Sequence, residues 1–271
     1  WEFSTRHGWL PPGESIDEFQ LRRHGWRVRM LQRLRAWYVR AASVVIVPSG
    51  YIGALVAGWG VAVERTRVIR NALDERQFAS LPEQAAARAL CGLPATDPLL
   101  LTAARLAPWK GIAGIIRALP RVQRRFPDAR LLIAGDGPER AELQALATRH
   151  KDAVQFLGMQ SQQRVHHLMR AADVFVLFST DEGLPHTVLE AMTCRTPVVA
   201  SAVGGTVEVV TDGRTGLLVP IGDEEALGAA ICRVLKEPDF GRALADRAHG
   251  KLGRFSWEQL LADTEAALLE A

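Results

Sequence analysis

Residues 98–140, PLLLTAARLAPWKGIAGIIRALPRVQRRFPDARLLIAGDGPER, show the chain's architecture most plainly. Leu99 to Ala103 reads as a buried strand, and a loop carrying Arg105, Pro108, Lys110 and Gly111 follows it. A helical pattern over 112–126 then leads to a second apolar run, Leu131 to Ala134, closed by Gly135-Asp136-Gly137. Strands this continuously apolar are buried on both faces, and two of them joined through a helix make a parallel βαβ unit. The alternation continues on both sides. Further strands are expected at Val44–Val47, Val68–Arg70, Val154–Leu157, Val174–Phe178, Val198–Ala200 and Leu217–Val219. Helices are expected near 50–58, 83–91, 138–149, 161–171, 186–194, 224–236, 238–252 and 257–270. The expected class is α/β, a doubly wound, Rossmann-like parallel sheet with a partial second α/β segment.

The second segment is residues 1–74, whose one or two strands are too few to close a sheet alone. Residues 75–255 carry the complete domain, and 256–271 form a C-terminal helix packing back. The chain has 271 residues, 48% hydrophobic and 23% charged, an ordinary globular composition that excludes a disordered or fibrous chain. No apolar run approaches the roughly 18 residues that a membrane-crossing helix needs. Cys91, Cys194 and Cys232 are odd in number and far apart, which supports neither a disulfide framework nor a cysteine zinc site and favours a reducing, cytoplasmic setting. No signal-peptide pattern is present, and the chain opens on Trp1 rather than Met.

Net charge is +3, but Arg22, Arg23, Arg27, Arg29, Arg33, Arg35 and Arg40 put +7 without an acid into residues 21–40, leaving −4 for the rest. Basic residues spread along a face with aromatics to stack on are lacking elsewhere, which argues against nucleic acid as a partner. Residues 26–40 read as a helix in which Trp26, Met30, Leu34 and Trp37 or Tyr38 recur at helical spacing between arginines. Apolar residues so spaced are usually core, so a packed stripe with a solvated arginine face is expected. The functional alternative is peripheral contact with anionic lipid heads at the inner membrane face, or with an acidic acceptor.

In open α/β sheets ligands sit beyond the carboxyl ends of the strands, so the loops there hold the chemistry. Arg105 and Lys110 share the loop after the first strand, beside a helix N-terminus, an arrangement that favours a phosphate or diphosphate; taken alone they are two surface cations. After Val174–Phe178 comes STDEGLPHTVLEAM, residues 179–192. Gly183 permits close approach, Pro185 suits a first helical turn, and the amides of His186 and Thr187 can face an anion. Glu190 can accept two hydrogen bonds from a ribose diol, and Glu182 can meet a sugar hydroxyl or the charge developing at an anomeric carbon; taken singly, helix-dipole compensation explains Glu182 better, and an exposed helical position Glu190. Ser201 to Glu208, with Gly204 and Gly205, is another tight turn opening a helix with bare amides.

These motifs together resemble the donor-binding domain of retaining GT-B glycosyltransferases of family 4. The resemblance is carried by RLAPWKG at 105–111, IAGDGPE at 133–139, EGLPHTVLEAM at 182–192, PVVASAVGG at 197–205 and DGRTGLLV at 212–219, and runs from about Ser43 to Trp257. It implies that Arg105 and Lys110 neutralise the diphosphate of a nucleotide-sugar, with UDP, GDP and ADP all open. It also implies that Glu190 holds the ribose, that Glu182 with the backbone of Gly183 and Leu184 holds the donor sugar, and that the backbone near Met159 reads the base. No Asp-x-Asp pair occurs, so no metal and no further cofactor is expected. The acceptor is not specified. Departures from the pattern are Ala72, Ala104, Thr193 and Arg195, the last where glycine usually ends the helix, so that a left-handed arginine costing on the order of 1 kcal/mol is expected.

The resemblance further implies an acceptor-side domain of which 1–74 is the closing portion. The chain is therefore expected to be truncated, binding nucleotide and transferring sugar slowly or not at all. A noncatalytic nucleotide-binding module and a nucleotide-sugar epimerase on the same scaffold remain the alternatives. A nicotinamide dehydrogenase is disfavoured, because Arg140 breaks the glycine fingerprint begun at Gly135-Asp136-Gly137. His166 and His167 are adjacent and diverge by about 100° on a helix, so they suggest no metal site.

Overall fold

A computed structural model describes Ser4 and residues 8–10, 16–150 and 152–270, in two compact units: 1–71 with 258–271, and 72–257. In the larger unit a turn at Glu75–Phe78 leads to α4 (Gln84–Cys91), and then strands and helices alternate: β3 (Leu99–Ala103), α5 (Ile112–Gln123), β4 (Arg130–Ala134), α6 (Arg140–Ala147), β5 (Val154–Gly158), α7 (Gln162–Ala171), β6 (Val174–Leu177), α8 (His186–Thr193), β7 (Val198–Ser201), α9 (Thr206–Val209), β8 (Leu217–Val219), α10 (Glu224–Lys236) and α11 (Pro238–His249). All six strands are parallel, in the order β5-β4-β3-β6-β7-β8. The chain winds outward from β3 to β5, returns to place β6 beside β3, and winds outward the other way. The direction therefore reverses between β3 and β6.

The continuous apolar runs are explained by the two-residue period of a strand. Leu100, Leu131, Ile133, Val174, Val176 and Val199 face one core with Ile112, Ile115, Ile116 and Leu119 of α5 and Leu227 and Ile231 of α10. Their neighbours Leu101, Leu132, Phe175, Leu177, Val198 and Ala200 face another with Leu168 and Met169 of α7 and Val188, Leu189 and Met192 of α8. Arg88 of α4 is buried and bolts the strand entries: it donates to the carbonyls of Ala171, Pro94, Ala95 and Asp97 and pairs with Asp173 at 2.7 Å, whose carboxylate also accepts from the Leu99 amide. The helix expected near 83–91 thus registers β3 against β6.

The smaller unit holds α1 (Ile16–Leu21), α2 (Trp26–Arg40), β1 (Val45–Val47), α3 (Gly50–Gly58), β2 (Thr66–Val68) and α12 (Trp257–Leu269), with β1 and β2 parallel. Strand β2 sits two residues earlier than expected, because Val45 to Val47 pair with Thr66 to Val68 and only the Ile69 amide extends the pairing, to the Val47 carbonyl. Helix α2 has the expected bounds, but the expected core stripe is on the wrong face: Trp26 is 66%, Trp37 68% and Tyr38 75% exposed, and Met30 and Leu34 are exposed too. The inward face is Val28, Leu31, Gln32, Arg35, Ala36 and Val39, with Val28 packed on Leu10 and Phe19, and Val39 against Val47 and Val56. The Arg35 guanidinium lies 3.7 Å from the centre of the Trp59 ring. No helix among the described residues is long and apolar enough to cross a membrane.

Candidate functional site: loops beyond β3 and β6

The loops leaving β3 and β6 part at the reversal point of the sheet, and backbone bonds tie them together. Thr180 N–H donates to the Trp109 carbonyl at 2.8 Å, and Leu106 N–H to the Asp136 carbonyl at 3.0 Å, so the loops after β3, β4 and β6 hold one another. Glycine is required at these approaches. A Cβ on Gly111, whose φ is +63°, would lie 2.0 Å from the Phe178 carbonyl oxygen, and one on Gly135 1.9 Å from that of Ala104. The loop after β7 differs from expectation. The amides of Gly205 and Thr206 are not bare: Gly205 N–H donates to the Glu182 carbonyl at 2.8 Å and Thr206 N–H to that of Val203. A Cβ on Gly205 would sit 2.0 Å from the Gly183 oxygen, so the glycine pair there clamps the Glu182–Leu184 backbone.

Lys110 and Glu182, one from each loop, meet directly. The ammonium donates to Glu182 Oε1 at 2.6 Å, and the buried Ser179 hydroxyl donates to the same oxygen at 2.7 Å. Ser179 is held in turn, its carbonyl accepting from Ser201 Oγ at 2.5 Å. Glu182 is buried while Lys110 is partly open, so the carboxylate is fixed and two of the three ammonium hydrogens are left for another acceptor. Arg105, on the same loop as Lys110, is exposed. Leu184 is buried, His186 exposed, and the His186 and Thr187 amides lie in the first turn of α8, where no intrahelical acceptor exists; Pro185 is the residue just before the helix.

Glu190 lies one turn along α8 and meets neither Lys110 nor Glu182; its Oε1 is 3.8 Å from Nε2 of the buried His166. Met159 follows β5, two strands from β3, is 75% exposed, and its carbonyl accepts from the Gln160 side chain at 3.1 Å. Asp136, after β4, is held below the usual carboxylate range by the Gly137 amide and then by Arg140. Sequence reasoning missed Ser179 and His166. Ser179 stood inside the quoted motif, but nothing in spacing shows that its hydroxyl turns back on Glu182; His166 is brought to Glu190 only by the packing of α7 on α8. Two clefts of about 400 and 430 Å³ open at the amino-end rim of the sheet, one beside Asp173, Arg195 and Pro197, the other among Arg121, Arg124, Arg125, Arg233 and Lys236. The loops beyond β3 and β6 are at the opposite rim. There the sheet reverses and paired groups of opposite charge converge, which outweighs cleft size.

Comparison with known proteins agrees with this architecture. The family described as glycosyl transferases group 1 matches residues 84–251. The chain is 35% identical over 199 residues to the GDP-mannose-dependent monoacylated alpha-(1-6)-phosphatidylinositol monomannoside mannosyltransferase of Corynebacterium glutamicum, covering 69% of this chain and 52% of that one. It is 31% identical to the glycogen synthase of Mycobacterium tuberculosis, covering 97% of this chain and 64% of that one. Among solved structures, Anabaena Alr3699/HepE in complex with UDP and glucose superposes with a TM-score of 0.82 at 26% identity, over 90% of this chain and 68% of that one. Sucrose-phosphate synthase of Thermosynechococcus elongatus does so with a TM-score of 0.79 at 30% identity, over 89% and 61%. The chain thus spans about half the length of the mannosyltransferase it matches. The six-stranded sheet reversing at β3 and β6, together with the family match over most of the larger unit, establishes that this chain belongs to the group 1 glycosyl transferases, the retaining GT-B glycosyltransferases of family 4.

Proposed function

We propose that the larger unit grips the diphosphate of a nucleotide-sugar with Lys110 and Arg105, and that the protein transfers the sugar, a hexose, to an acceptor with retention. The carrying observation is the Lys110–Glu182 contact of 2.6 Å between the loops that part at the sheet reversal. Glu182, pinned by Lys110 and Ser179, is a fixed negative charge for the sugar, which gains positive character at its anomeric carbon as the bond to the diphosphate breaks. The electron pair of that bond stays with the diphosphate oxygen, so cations beside it stabilise the transition state more than the bound substrate. The backbone of Gly183 and Leu184 lies along the sugar, the His186 and Thr187 amides face the anion, Glu190 takes the ribose diol, and the Met159 backbone approaches the base. With cations in this role the reading needs no metal, and chelation is expected to leave nucleotide affinity unchanged.

Two relatives guide the choice of donor: the mannosyltransferase is GDP-mannose-dependent by name, and the Anabaena protein was solved with UDP and glucose. Every group in the reading comes from residues 72–257, so nucleotide binding is the property of this unit that the reading commits to first. A thermal-shift panel of UDP, GDP and ADP, with and without attached sugars, tests this. Ligand at 100 times its dissociation constant stabilises by about 2.7 kcal/mol. One nucleotide class raising Tm in the wild type but not in Lys110→Ala supports the reading; no shift with any of them overturns it. Binding without turnover on any acceptor would leave the noncatalytic module. The exposed Trp26, Met30, Leu34, Trp37 and Tyr38, set among arginines, favour peripheral contact of α2 with anionic lipid, a setting suited to a lipid-linked acceptor like that in the mannosyltransferase's name.

A further inference from the structure

His166, the fifth residue of α7, is 1% exposed, with its ring stacked on Phe78 at a centroid distance of 4.1 Å. Both ring nitrogens are buried, and neither has a hydrogen-bond partner. An imidazole carries at least one N–H in any protonation state, and native cores rarely leave such a donor unpaired. The group nearest to pairing with it is Glu190. Its Oε1 lies 3.8 Å from Nε2, too far for a hydrogen bond and near enough for a small side-chain rotation to make one. Among the described residues His166 is the one basic side chain within ion-pair distance of Glu190. The Glu190 charge is felt locally. Burial first, and then this carboxylate, push the Cys194 thiol up, with Arg170 opposing them.

We infer that His166 is the positioning residue of Glu190: its Nε2–H bonds to Oε1 and fixes the rotamer in which the carboxylate receives the ribose diol of the nucleotide. The inference rests on the role given to Glu190 above. A glutamate has three rotatable side-chain bonds, and a diol held by both oxygens needs them in one arrangement, so an orienting donor removes an entropy loss from binding. Oε1 keeps a lone pair for the sugar while it accepts from the imidazole. The same device serves the other glutamate of the motif, where the Ser179 hydroxyl fixes Glu182 from behind at 2.7 Å. His166 itself touches no nucleotide. Stacking on Phe78 limits how far the ring can turn, and Nε2 is the nitrogen near Glu190.

The test compares dissociation constants, by calorimetry, of UDP, GDP and ADP with those of their 2′-deoxy counterparts in the wild type, His166→Leu and His166→Gln. The wild type is expected to prefer the ribonucleotide about tenfold, because a site built around a hydroxyl rejects the analogue lacking it. His166→Leu should reduce this ratio to near one by weakening the ribonucleotide alone, with affinity for the deoxynucleotide unchanged. His166→Gln, which places an amide donor near the Nε2 position, should restore the preference. A general packing defect would weaken both nucleotides equally. If His166→Leu does not fold, His166→Phe keeps a ring against Phe78 and serves in its place. Undiminished preference in the donor-less variant overturns the positioning role and leaves Glu190 as the ribose ligand. Absence of preference in the wild type overturns the Glu190 role itself, and this inference with it.

Discussion

The larger unit and helix α2 of the smaller one are both rich in apolar residues at regular spacing, yet only in the first are the residues so spaced the buried ones. In β3, β4, β6 and β7 nearly every residue is covered, so period two simply divides them between two cores, and either assignment buries everything. In α2 two sets fit a helical period: Trp26, Met30, Leu34 and Trp37 on one face, Val28, Leu31, Arg35 and Val39 on the other. The bulkier set is the exposed one. Periodicity identifies an element; which face is buried depends on what there is to pack against.

Glycine substitutions separate the regions most widely. Gly111→Ala combines a left-handed backbone with a Cβ 2.0 Å from the Phe178 oxygen, whereas Gly58, at the end of α3, has nothing within 4 Å of its added Cβ. Urea unfolding should show a loss of about 3 kcal/mol for the first and a change within about 0.5 kcal/mol for the second. Equal effects would mean that the loops beyond β3 and β6 are not tied as described.

Within α2, Val28→Ala should cost roughly 2 kcal/mol through lost burial and a cavity, while Trp37→Ala should stay within about 0.5 kcal/mol. The order reverses in co-sedimentation with phosphatidylglycerol-containing vesicles, where Trp37→Ala lowers binding and added salt lowers it further. A costly Trp37→Ala in stability would return that stripe to the core.

The smallest effect concerns Arg195, whose φ of +54° is left-handed, alone in this among the non-glycine described residues. Its guanidinium pairs with Asp246 at 2.6 Å, both side chains being half exposed, so the pair contributes little. Arg195→Gly should raise stability by about 0.5–1 kcal/mol in the same unfolding assay, and a loss would show that the ion pair outweighs the backbone strain.

Much of this was legible in the residues. Alternation of buried strands and helices gave the doubly wound sheet, and the glycine missing at Arg195 gave the strained turn. The pairing of Lys110 with Glu182 was not legible, because both were assigned to ligand and seventy-two positions of chain separate them. Nor was the use of Gly205: a glycine pair before a helix reads as an anion nest, and only the approach of the Gly183 carbonyl shows that it serves the neighbouring loop. His166 was discounted for having no metal-ligand spacing, although its meaning lies in the helix beside it.

Lys110, held against Glu182, is proposed to recognise a diphosphate. Calorimetric affinities of the preferred nucleoside diphosphate and its monophosphate, in the wild type and in Lys110→Ala, test it most directly. A diphosphate preference on the order of a hundredfold is expected in the wild type, falling to a few-fold in the variant, with monophosphate affinity little changed. An equal preference in both proteins would contradict it.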